Sequence, residues 1–329
     1  MSGTGGFQTQ ALPQPSMAVA GDFASQNPYF TLDAGPGGLV AGGPNGVSVG
    51  LFAWLYPPVD PDSRATIVQN FGSGPPAGFV HREQQGLIIT YLANAGMVIQ
   101  KGFQMTLMVG GDFWVVNNGT SQVVVGNKAY ANNANGQASF AATGTSTSAA
   151  TSTASTVTAQ TSSFTGSISG DVLTVTAVGS GTIYPGTTLS GTAGGTITTG
   201  TQVLSQISGT IGGVGTYYVG PAEQNISSSA ISGTYGLLTV GGTVSGTFAV
   251  NNTLTGTGVA ANTVITAAIG GVGGTGTYVV NNNSAVGSSA INVTGVSETA
   301  WYAVSGALPG ELVKITTHFS AYYQSGVGA

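Results

Sequence analysis

The sequence predicts an all-β fold, and three observations carry that reading. Short runs of Val, Ile, Thr, Tyr and Phe alternate with small polar residues, as half-buried strands require. Gly, Asn or Pro breaks these runs every few residues. No stretch shows the sustained 3.6-residue apolar period of a long amphipathic helix. Strands of this kind are expected to close into a sandwich or a barrel.

The elements follow in chain order. VSVGLFAWLY (47–56) is strand-sized and stops at Pro57-Pro58. LIITYL (87–92), MTLMV (105–109) and FWVV (113–116) read as further strands, and LVKITT (312–317) as one near the C-terminus. Composition changes near residue 143, where TGTSTSAATSTASTVTAQTSS (143–163) begins. This Ser/Thr/Ala stretch has no charge and no packing pattern, so 145–163 is expected to be a linker.

An internal repeat follows. LTVTAVGSGTIYPGTTLSGT from Leu173 matches LTVGGTVSGTFAVNNTLTGT from Leu238, with Leu173, Val175, Gly181, Leu189 and Gly191 answered by Leu238, Val240, Gly246, Leu254 and Gly256. Both copies continue through a Gly-rich segment (IGGVGTYYV from Ile211, IGGVGGTGTYVV from Ile269) and finish in SSAI. Two small β repeats are expected, at 164–234 and 235–295. The tail WYAVSGALPGELVKITTHF (301–319) resembles the first domain in composition. The expected organisation is therefore a discontinuous domain, 1–144 plus 296–329, with the repeats inserted into one loop.

Charge bounds the function. Charged residues make up 5% of the chain, against roughly 25% in ordinary soluble domains, so hydroxyls and amides must cover the wet surface. The five basic residues, Arg64, Arg82, Lys101, Lys128 and Lys314, are scattered, which argues against nucleic acid as a partner. Absence of cysteine excludes disulfides and thiolate chemistry. The start MSGTGGFQTQALPQ has no basic and apolar leader, and no apolar run reaches the ~18 residues of a membrane span. The expectation is a soluble product of the cytoplasm, with no membrane insertion.

Literal motifs fail on context. Gly46-Val47-Ser48-Val49-Gly50 spells a nucleophile elbow, yet it runs on as a strand rather than turning into a helix. Gly271 to Gly276 spells G-x-G-x-x-G, but TYVVNNN follows it, so a hairpin turn is expected. Asp60 and Asp62 supply too few oxygens for calcium and read as a solvated turn. His81, Arg82 and Glu83 are adjacent. On a strand His81 and Glu83 share a face, but His318 is the only other imidazole, too little for zinc or acid–base chemistry. No enzyme, metal or cofactor is expected.

AVAGDFASQNPYF (18–30), GGLVAGGPNGVSVGLFAW (37–54), PAGFVHREQQGLI (76–88), GDFWVVNNGT (111–120), KAYANNANGQASFAATGT (128–145) and ETAWYAVSGALPGELVKITTH (298–318) together resemble tailed-bacteriophage structural cement (capsid decoration) proteins. The resemblance implies a barrel or jelly-roll-like capsid-binding domain on the outer surface of the virion. It implies major capsid protein as partner and a homotrimer as assembly. The signatures nominate Asp22, Phe23, Asn27, Pro28, Tyr29, His81, Arg82 and Glu83 as capsid or subunit interface. Tyr29 stands where a basic residue often follows the Asn-Pro of that family. The repeats look like Gly/Thr-rich modules of phage surface and fibre proteins and are expected to project outward. The alternative is an adhesion module binding host-surface glycans, with Tyr217, Tyr218 and Tyr278 stacking on sugars. A bacterial adhesin or surface-layer fragment is disfavoured by the missing export signal.

Overall fold

The computed structural model describes residues 18–32, 38–42, 45–56, 66–82, 96–145, 148–220 and 223–319. These residues are all-β, with no helix among them. The first strands are β1 (Phe30–Thr31), β2 (Leu39–Ala41), β3 (Val47–Ser48), β4 (Phe52–Tyr56), β5 (Thr66–Gln69), β6 (Gly78–Phe79), β7 (Val98–Ile99) and β8 (Gln104–Met105). Then come β9 (Met108–Gly110), β10 (Asp112–Val116), β11 (Lys128–Asn132), β12 (Ala138–Ala141), β13 (Ser148–Gly170), β14 (Val172–Ser180), β15 (Thr188–Ser190) and β16 (Gln202–Gly209). The last are β17 (Gly215–Gly220), β18 (Gln224–Gly246), β19 (Thr253–Gly256), β20 (Ile265–Ala268), β21 (Gly276–Val280), β22 (Val286–Thr294), β23 (Val296–Ala303) and β24 (Leu312–Thr316).

The chain divides into two compact units. Unit 1 takes its described residues from Met1–Tyr56, Ala65–Thr145 and Ser297–Ala329; Ser146–Val296 falls in unit 2. In unit 1 a seven-stranded sheet, in the order β1-β9-β6-β4-β5-β2-β8, accompanies a five-stranded sheet, β10-β24-β23-β11-β12. The C-terminal strands thus lie between β10 and β11, far from them in sequence. A single core joins the two sheets: Phe52, Phe79 and Met108 from the first, and Phe113, Val115, Trp301, Val313 and Ile315 from the second. The aromatic rings touch in series, Phe52 to Phe79 at 5.5 Å between centroids and Phe79 to Phe113 at 5.1 Å. The turn after β11 must pass close to β4. A Cβ on Gly136 would sit 2.2 Å from the Phe52 carbonyl oxygen, and its φ of +71° also favours glycine.

Unit 2 is built on a two-stranded ribbon. β13 and β18 are each 23 residues long, about 75 Å at ~3.3 Å per residue, and they pair antiparallel along most of their length. The far half of the ribbon closes a six-stranded ring through β13–β14, β14–β17, β17–β16, β16–β15 and β15–β18. The near half closes a second ring through β13–β22, β22–β19, β20–β21 and β21–β18, with the Thr253–Val264 bridge joining β19 to the start of β20. Each ring has its own core, one around Leu173, Val175, Leu189 and Tyr217 and the other around Leu238, Val240, Leu254 and Tyr278.

The expected linker is corrected here. From residue 148 onward the stretch is strand, not spacer. Its inward positions up to Ser162 are mostly small, with Ala150, Ser152, Ser155, Val157 and Ser162 buried; the larger Phe164 and Ile168 follow only in the far half. Small side chains fit the inside of a narrow ring whose other strands bring the bulk. Threonines at the outward positions favour the extended backbone. Low complexity hid a strand because its first part, up to Ser163, contributes little apolar volume of its own.

Candidate functional site

The segment before β1 runs as a short edge alongside β10. Gly21 N–H donates to the Trp114 carbonyl at 2.7 Å, Trp114 N–H to the Asp22 carbonyl at 3.0 Å, and Ala24 N–H to the Asp112 carbonyl at 2.9 Å. Phe23 bridges Phe113 across this edge. The loop after β6 is tied to the same segment, because Arg82 N–H donates to the Gly21 carbonyl at 3.0 Å. Residues near 22 and near 82, sixty positions apart, are therefore neighbours.

A buried carboxylate anchors the segment. Asp112, 3% exposed at the start of β10, receives Oγ–H of Ser25 at 2.6 Å, Nδ2–H of Asn27 at 2.8 Å and Oγ1–H of Thr316 at 2.5 Å. Lys314 Nζ lies 3.9 Å away. Burial alone would raise this carboxyl's pKa. The three donors and the Lys314 charge outweigh burial and hold it below the usual Asp range. His318 completes the bracing: its Nε2–H donates to the Pro28 carbonyl at 2.7 Å.

What the segment presents outward is aromatic. Phe23 is 42% exposed, Tyr29 56% and Phe30 58%. The Phe23 and Tyr29 ring centroids are 4.9 Å apart, and the His81 ring lies 5.4 Å from Phe23. Tyr29 and Phe30 lie over Gly111 and Gly110, where a Cβ would meet Tyr29 Cβ at 2.8 Å and a Phe30 ring carbon at 2.9 Å. Beside the rings, Arg82 pairs with Asp22 at 3.7 Å, both side chains partly exposed.

Of the interface candidates nominated by sequence, Asp22, Phe23, Asn27, Pro28, Tyr29, His81 and Arg82 come together in this region, while Glu83 lies outside the described residues, as do Asp60 and Asp62. Asn27 and Pro28 also take part in the bracing, through the Asn27 amide on Asp112 and the Pro28 carbonyl on His318, and both remain exposed. Sequence reading missed Asp112, Thr316 and Ser25. The available signal was a lone carboxylate, in a chain with ten acidic residues, at the head of the apolar run FWVV.

The sugar-stacking assignment of Tyr217 and Tyr278 is corrected. Both rings are fully buried in the two ring cores, and their hydroxyls donate to the carbonyls of Gly213 at 2.5 Å and Gly274 at 2.8 Å. Burial raises the pKa of both phenols. Neither offers a face to a ligand, because each shares its strand face with a buried valine two residues on, Val219 or Val280. Tyr218, on the opposite face, is half-buried.

Ser48 also has a plain structural role, as its N–H donates to Asn70 Oδ1 at 2.6 Å and Asn70 Nδ2–H returns to its carbonyl at 3.2 Å. Gly271 to Gly276 form the hairpin between β20 and β21, with Gly270 N–H bonded to the Thr277 carbonyl at 3.0 Å. Among the described residues no group of three or more His, Cys, Asp or Glu side chains is placed to hold a metal.

No curated protein and no solved structure matches the chain. The sequence profile of the XM1 gp53 minor capsid protein family matches residues 7–177, more than half of the 329, and runs from before the aromatic segment through β13 into β14. The chain belongs to that family of phage minor capsid proteins.

Proposed function

We propose that this minor capsid protein is a non-enzymatic cement on the outer surface of the phage head, and that the Phe23–Tyr29–Phe30 surface docks on major capsid protein. The carrying observation is an exposed aromatic cluster on a segment immobilised by a buried carboxylate. Large exposed aromatics are costly to leave wet, and Tyr and Phe are enriched at the centres of protein interfaces. Immobilising the segment beforehand lowers the ordering cost of binding. The partly exposed Arg82–Asp22 pair beside the rings supplies a polar rim. Copies attached this way bridge neighbouring capsid subunits, each weak contact multiplied over the head. A homotrimer is the assembly this reading takes, measurable by light scattering on the purified chain. Glycan binding by the insert loses Tyr217 and Tyr278, which motivated it, and is not adopted.

The test is add-back to heads lacking the protein. Wild-type chain is expected to co-sediment with them and raise their resistance to heat. Phe23→Ser, Tyr29→Ser and Phe30→Ser together are expected to abolish co-sedimentation while the free chain stays folded, with a wild-type circular dichroism spectrum at the assay temperature. Full attachment by the triple variant would refute the assignment of this surface. Failure of wild-type chain to bind any head would refute the cement reading itself.

A further inference from the structure

Unit 1 is interrupted where the chain leaves it at Thr145 and returns at Ser297. We infer that Glu298 is a clasp that ties these two ends together, so that unit 1 folds as one body despite the interruption. Glu298 is the second residue after the return. Its carboxylate nonetheless reaches the outgoing end, where Gly144 N–H donates to Oε2 at 3.2 Å. Tyr130 on β11 joins both sides: its hydroxyl donates to the Ala142 carbonyl at 2.8 Å, lies 3.4 Å from Glu298 Oε2, and accepts Thr145 N–H at 3.1 Å.

Lys128 supplies the counter-charge. Its side chain is buried, with Nζ 3.9 Å from Glu298 Oε1 and 3.8 Å from the centroid of the Tyr302 ring. A buried ammonium needs such partners, and an aromatic face is one of them. The ends are already brought together by β23 beside β11 and by the Ser148–Thr294 pairing of β13 with β22, and the residues between those pairings depend on side chains to hold them. The clasp supplies local contacts at that seam, and every one of its groups belongs to unit 1. The inference is independent of the capsid-docking surface.

Amide hydrogen exchange on the full-length chain tests this. Glu298→Ala is expected to raise the exchange rates of the Gly144 and Thr145 amides about tenfold or more. Glu298→Gln keeps an acceptor and is expected to raise them less. The amides of β10, β24 and β18 should exchange at wild-type rates in both variants. Unchanged rates at Gly144 and Thr145 would overturn the clasp. So would an equal rise across β10 and β24, because Glu298 would then support the whole unit rather than the seam. Should Glu298→Ala fail to fold, Glu298→Gln decides by the same two readings.

Discussion

Replacing Asp112 with Asn removes one charge and almost no volume, which isolates the anchor of the aromatic segment. The wild-type carboxylate accepts from Ser25, Asn27 and Thr316 and sits 3.9 Å from Lys314 Nζ. An amide keeps one acceptor oxygen and turns an NH₂ group toward donors. Two of the three charge-assisted bonds are then lost or weakened, at about 1.5–3 kcal/mol each. A neutral amide is cheaper to bury than a carboxylate, which offsets part of this. The expected net loss is about 2–4 kcal/mol, or roughly 5–15 °C in the melting of a domain this size. Thermal melts of both chains at pH 7 measure it.

The acid limb gives a second, stricter reading. An unfolded Asp titrates near ~3.9, and the folded Asp112 lies below its ordinary value. The native state therefore holds fewer protons at this site, and its contribution is fully present above the unfolded pKa. It is lost as pH falls through the folded value. The wild-type advantage over Asp112→Asn should be constant from pH 7 to about 5 and shrink steadily below ~4. Equal melting temperatures at pH 7, or a gap that persists unchanged to pH 2, would refute the assignment of a charged anchor.

Other outcomes follow from the same geometry. Leu173→Ala and Leu238→Ala empty equivalent places in the two ring cores, and each should cost about 2–5 kcal/mol. Because both rings use β13 and β18, calorimetry should show one shifted transition for unit 2 in either variant, and two separate transitions would count against the shared ribbon. Tyr217→Phe or Tyr278→Phe removes a buried hydroxyl that bonds a carbonyl and should cost about 1 kcal/mol, read by chemical denaturation. Gly136→Ala places a methyl against the Phe52 carbonyl at a positive φ and should lower the melting temperature of unit 1.

The sequence exposed the strand class, because alternation of Val, Leu or Ile with Thr or small polar residues recurs in strands such as β14, β22 and β24. The aromatic segment was legible as a signature but not as a surface. Nothing in GDFASQNPYF says that the exposed Asn27 ties its amide to a carboxylate while Tyr29 leaves its ring open to solvent. That division depends on Asp112, which is 85 residues from Asn27. The burial of Tyr217 and Tyr278 was readable in principle, since period 2 puts each on the same face as Val219 or Val280. Placing them beside glycines drew attention to the hairpin instead.

The ribbon shows where sequence boundaries and structural ones part. The repeats expected at 164–234 and 235–295 would each be continuous in sequence, but each ring draws its first strand from β13. The ring around Leu238 takes the stretch from Ser148 to Val157, which precedes the other ring in the chain. β18 shows how one strand serves two cores. Between residues 231 and 240 its buried residues are Ile231, Gly233 and Tyr235 and then Gly236, Leu238 and Val240, although pairing with β13 runs on without a register shift at that point. A change of parity in a continuous ladder means that the buried face changes sides. The ribbon therefore lends one face to one core and the opposite face to the other. Deleting either sequence repeat would leave the remaining ring with an exposed half-ribbon and unpaired edges, so the two copies stand or fall together.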